Sequence, residues 1–118
     1  MQIPKQVRIG SVDYDVVDPG EAILFNGQQC YGMIDFVDSQ IYLDTTIQGK
    51  QKLELTFLHE VVHGMLQSRS LDEAAANETL VDEIAIALHQ LIKDNPKIFE
   101  TVENNEVEEV KEDDADNN

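Results

Sequence analysis

A chain of 118 residues supports one domain with one modest core. Its 24 acidic residues against 8 basic ones give a net charge of −16, which disfavours direct binding to nucleic-acid phosphates. The single cysteine, Cys30, excludes an internal disulfide; with no secretory leader and no run of 18 apolar residues, the expectation is a cytoplasmic protein with no membrane partner.

Residues 6–10 and 12–18 alternate apolar and polar positions (Val7 and Ile9, then Val12, Tyr14 and Val16) around Gly10-Ser11, which predicts a β-hairpin. Residues 19–30 read as a connection containing a short helical turn over Glu21 to Phe25. Residues 31–37 and 40–44 predict a second hairpin around Val37-Asp38-Ser39, with strand 40–44 as the sheet edge. A long helix follows over about 49–68, and Gly64 on its apolar arc would let the second helix or the sheet approach closely. Asp72 is placed to cap a second helix over about 73–94, which Pro96 ends. Ile98 and Phe99 are expected to pack a last turn back onto the core. Strands followed by two helices make an α+β domain over residues 1–99, a small antiparallel sheet of about four strands packed on two long helices. Residues 100–118 hold 9 acids and one Lys, so they carry half of the net charge, and they are expected to form a disordered acidic tail.

The chemistry-bearing segment is His59-Glu60-Val61-Val62-His63, set in the apolar run Leu55 to Leu66. Residues four apart on a helix share a face, so both imidazoles can meet one metal ion, while Glu60 can reach a water on that ion. On a helical wheel the three polar residues share one arc beside a broad apolar face, so they are expected to line a cleft. The plainer alternative is two boundary histidines with a nearby acid. Zinc needs a third protein ligand, and the second helix offers Glu78, Asp82 and Glu83. If Val81 and Leu88 face the core, Glu78 and Asp82 flank that direction and Glu83 points away. Glu78 is then the best-placed ligand, and Asp82 suits a hydrogen bond from the non-ligating nitrogen of a ligand histidine. A solvated helix margin is the competing reading of these acids. His89 shares the stripe of Glu78 but lies about 16 Å further along the helix, too far to join the site.

His59-Glu60-x-x-His63 followed by Asn77-Glu78-x-x-x-Asp82 resembles the gluzincin clan of zinc peptidases. Residues 31–99 resemble more closely the small phage- and prophage-encoded metallopeptidases of the ImmA/IrrE-like group, through Gly32 to Asp35, Gln40 to Asp44, Thr56 to Gly64, Glu78 to Asp82 and Leu91 to Pro96. The resemblance implies a minimal zincin-like domain. In it His59, His63 and Glu78 hold Zn²⁺, Glu60 is the catalytic base, and a protein or peptide is hydrolysed, such as a phage or host regulatory protein in the host cytoplasm. No Tyr or His occupies a clear position for stabilising an oxyanion. Two rival readings differ in class. One is a zinc-binding interaction module without peptidase activity, and the other an acidic decoy that engages a nucleic-acid-binding protein. Cys30 could cap the zinc of a latent form, although a partly buried thiol is the simpler reading.

Overall fold

The computed structural model describes residues 1–100. The expected acidic tail lies outside these residues except for Glu100. Gly10, at a left-handed φ of 63°, turns strand β1 (Gln6–Ile9) into β2 (Val12–Val17). In place of the expected helical turn, residues 19–30 form a second hairpin, β3 (Ile23–Phe25) and β4 (Gln28–Cys30). The cause is the Asn26-Gly27 pair: both residues take positive φ, 53° and 78°, and so make the primed turn that joins two twisted strands. β5 (Gly32–Asp35) and β6 (Gln40–Leu43) form the third hairpin, and the Asp35 carboxylate accepts the N–H groups of Val37 and Asp38 at its turn.

β1, β2, β6 and β5 build the four-stranded sheet in that order, and β3 and β4 stand apart as a two-stranded ribbon. The architecture is the α+β arrangement expected, with two corrections. The sheet is mixed, because β2 and β6 pair in parallel, Val16 opposite Ile41. The chain leaves β2, makes the ribbon and β5, and re-enters beside β2 in the same direction. Strand β6 is therefore interior, and the edge is β5. The Asp44 N–H bond to the Tyr31 carbonyl, 3.0 Å long, fixes the alternation of the β5–β6 ladder. Tyr31, Met33 and Asp35 pair with β6, so the backbone groups of Gly32 and Ile34 face outward.

Helix α1 (Lys50–Ser68) crosses one face of the sheet. Its buried side chains Phe57, Leu58 and Val62 join Ile9, Tyr14, Ile41 and Leu43 in the core. Full burial of a side chain such as Val62 stabilises the fold by about 1.5–3 kcal/mol. Two glycines set the approach. A Cβ on Gly64 would lie 3.0 Å from Ile9 Cδ1 and 3.1 Å from Ile34 Cδ1, so it is the sheet that comes close here. A Cβ on Gly32 would lie 2.7 Å from Thr56 Cγ2 and 3.0 Å from the Tyr42 carbonyl oxygen. Met65, within the apolar run of this helix, is nevertheless 44% exposed.

The second helix is interrupted. Asp72 begins a single turn, α2 (Asp72–Ala75), and makes no side-chain cap; Asn77 caps the longer α3 (Glu78–Asp94), its Oδ1 accepting the Leu80 N–H at 3.0 Å. Asn offers the backbone its own hydrogen bond and so favours a cap over helix interior. α3 packs Val81 and Ala85 against α1. Ile98 and Phe99 remain 55% and 59% exposed and do not close onto the core, a further correction. Among the described residues no helix is long and apolar enough to cross a membrane.

Candidate metal centre

The four-residue spacing brings His59 and His63 to one face of α1, with their Nε2 atoms 3.2 Å apart. Because Asn77 starts α3 where it does, Glu78 occupies the first position of that helix and turns toward both rings. Its Oε1 lies 3.0 Å from His59 Nε2 and its Oε2 3.2 Å from His63 Nε2. Ligand atoms from these three residues all lie within 4.8 Å of one another.

The outer nitrogens decide what the inner ones can do. His63 Nδ1 is 2.7 Å from the Ala75 carbonyl, which only accepts, so Nδ1 carries the hydrogen. His59 Nδ1 faces the Asp82 carboxylate at 3.4 Å, a partner for a hydrogen on Nδ1, while its Nε2 lies 3.0 Å from a Glu78 oxygen, a partner for a hydrogen on the inner side when no cation is bound. With the hydrogens on the outer nitrogens, both Nε2 atoms present lone pairs. Two lone pairs and a carboxylate converge on one small volume, an arrangement that a cation relieves. The donor set suits zinc: tetrahedral coordination with Zn–N bonds of 2.0–2.1 Å places neighbouring ligand atoms about 3.3 Å apart. The two ring nitrogens, 3.2 Å apart, are close to that edge length, and Glu78 meets them with a different oxygen each.

Each expected site residue can be placed. His59, His63 and Glu78 meet; Asp82 stands behind His59; Glu83 is exposed and makes no contact with the group. Glu60 is 7% exposed on the wall of the same cleft, a space of about 670 Å³ between β5, the β3–β4 ribbon, α1 and α3. Burial, and then the negative charge of Glu78, push its carboxyl pKa up to about 8, while a hydrogen bond from the Ile34 backbone N–H pulls the other way. A carboxyl group shifted this far in a cleft is typical of sites that handle protons.

Several contributors lay beyond sequence reasoning. The Ala75 carbonyl carries no side-chain signal. Phe25, Tyr31 and Phe36 are exposed and line the cleft, as Lys52 does with its Nζ 4.6 Å from the Tyr31 ring centre. The Asn-Gly turn was the available signal for Phe25. Cys30 is half-buried on the same wall, its thiol 3.6 Å from the Gln28 carbonyl oxygen. Away from the cleft, His89 bonds Glu54 at 2.8 Å, joining α3 to α1 in a buried pair. That bond is the main cause holding the Glu54 carboxyl below its usual pKa. Compared with known proteins, the chain matches no family model, no curated protein and no solved structure.

Proposed function

We propose that this chain is a minimal zinc-dependent metallopeptidase of the ImmA/IrrE-like kind, a cytoplasmic hydrolase of peptide bonds in a protein substrate. The observation that carries the reading is the convergence of His59 Nε2, His63 Nε2 and the Glu78 carboxylate beside a buried Glu60. Zn²⁺ held by these three residues supplies Lewis acidity, drawing the pKa of a water toward neutrality and polarising a peptide carbonyl. Asp82 and the Ala75 carbonyl orient the two rings. Glu60 accepts a proton from the attacking water as the new C–O bond forms, and returns it to the amide nitrogen as the C–N bond breaks. Burial, first, and the charge of Glu78 raise the Glu60 pKa; a divalent cation would oppose both and so would favour the carboxylate form that this role needs. The outward backbone groups of Gly32 and the Ile34 carbonyl, on edge strand β5, can pair an extended substrate across the cleft.

The test is zinc-loaded protein against its Glu60→Gln variant. The wild type is expected to cleave peptides from a random library and the variant to bind zinc equally but release none. Used as bait in a lysate, the variant should retain an intact protein that the wild type cuts. One zinc per chain with no peptide cleaved by the wild type would instead assign an interaction module.

A further inference from the structure

Among the described residues, the cleft beside the candidate centre contains one ammonium group, that of Lys52. Its other charged walls are carboxylates, Glu60, Glu78 and Asp82, and most of the remainder is apolar. Lys52 lies on the face of α1 that carries His59, seven residues earlier, which is about 10 Å along the helix axis. Among the described residues no carboxylate forms an ion pair with it. This holds although the chain has three acids for every base. Lys52 rests instead over the Tyr31 ring, 4.6 Å from its centre. A ring face attracts the ammonium without using up its N–H donors in directional bonds. Those donors remain available at the mouth of the cleft.

We infer that Lys52 is a specificity residue that binds a carboxylate of the substrate. The inference rests on the peptidase reading for the identity of that ligand as a peptide. An extended chain rises about 3.3 Å per residue, so a carboxylate at Lys52 belongs two or three residues from the bond at the metal. It is either the C-terminal carboxylate of a short peptide or the side chain of Asp or Glu; the chemistry at Lys52 is the same. In a chain of net charge −16 a general attraction for acidic peptides is absent, so recognition of this kind has to be local. Apolar side chains of the ligand then fall against Phe25, Phe36 and Ile86.

Binding, measured without cleavage, tests this separately from the peptidase reading. The probes are fluorescein-labelled octapeptides rich in Phe and Leu, made as the free acid, as the C-terminal amide, and as amides with Glu or Gln two or three residues from the centre. They are titrated by anisotropy into the zinc-loaded Glu60→Gln protein. The expected result is a preference of roughly tenfold for one carboxylate form, as a charge-assisted contact gives. Adding Lys52→Ala should abolish that preference, Lys52→Arg should keep it, and Lys52→Glu should shift it toward peptides with Lys at the same place. Preference for the free acid identifies a C-terminal carboxylate, and preference for Glu over Gln an acidic side chain. Binding with no carboxylate preference, a preference that survives in Lys52→Ala, or no binding at all would overturn the proposal. A Lys52-dependent preference in a protein that cleaves nothing would uphold it and discard the peptidase reading instead.

Discussion

Glu78 spans the two motif histidines: one carboxylate oxygen lies 3.0 Å from His59 Nε2 and the other 3.2 Å from His63 Nε2. The carboxylate comes from α3 and the rings from α1, so an ion at their meeting point ties two helices together. Ligand binding to the folded state alone adds stability by mass action, about 2.7 kcal/mol at a hundredfold excess over Kd. For a domain of this size that corresponds to a melting temperature higher by roughly 10–20 °C. Calorimetry of zinc-loaded and chelated protein, with metal content measured on each sample, should show that difference and about one zinc per chain. Superimposable melting curves at confirmed metal loss would remove the structural role for the ion.

The three acids of α3 are expected to separate sharply. Glu78→Ala should lose most of the metal, because it removes a donor. Asp82→Ala should weaken affinity roughly 10–100-fold, because His59 loses the group that orients it. Glu83→Ala should leave affinity unchanged. Isothermal titration with zinc distinguishes the three, and equal losses for Asp82→Ala and Glu83→Ala would contradict the assignment.

The Glu54–His89 pair makes a prediction about acid. The carboxyl pKa of Glu54 in the fold lies below its ordinary value of 4.5, chiefly through the bond to His89. A lowered carboxyl pKa contributes stability that is present above the unfolded value and is lost as pH falls through the folded one. Stability of the wild type should therefore decline below about pH 4.5, and the gap between wild type and Glu54→Gln should narrow over the same range. His89→Ala should cost about 1–3 kcal/mol at neutral pH, because the buried Glu54 carboxylate loses its hydrogen-bond partner and keeps only the N-terminal ammonium, 3.7 Å away. Urea unfolding from pH 3 to 7 reads both; a gap that widens in acid would refute the account.

Gly32→Ala should destabilise the fold by about 1–3 kcal/mol, because the added methyl meets Thr56 and a backbone oxygen that cannot move aside. Thermal unfolding of the double variant Gly32→Ala/Thr56→Ser checks the cause, since removing the Thr56 methyl should return part of the loss.

Much of this was readable in advance because the signals are local. The alternation around Gly10-Ser11, the apolar helix 50–68 and the i, i+4 histidines each depend on a few neighbouring residues. Helix phase alone separated Glu78 from Glu83. For the secondary structure and sheet order, the differences were of two kinds. Asn26-Gly27 and Asn77 carried turn and capping chemistry that outweighed the helical reading around them. The parallel β2–β6 pairing, and with it the identity of the edge strand, depends on which distant segments meet, and no local pattern encodes that. The Ala75 carbonyl and Lys52 joined the site by position in space, one through its backbone and the other through a cleft wall that only the folded chain creates.

The parallel pairing of β2 with β6 has a kinetic consequence. Each of the three hairpins closes over a short turn, but Val16 and Ile41 meet only after the ribbon and β5 have been looped out between them. Closing that loop costs entropy before its contacts repay it, so the join is expected late in folding. Strand β5 reaches the rest of the sheet only through β6. The wall that supplies Gly32 and Ile34 to the cleft would therefore be among the last parts to assemble, and His59, His63 and Glu78 on α1 and α3 are expected to meet before that wall stands beside them. Ile41→Val should then accelerate unfolding more than it slows folding, whereas Val81→Ala, between the helices, should act mainly on the folding rate.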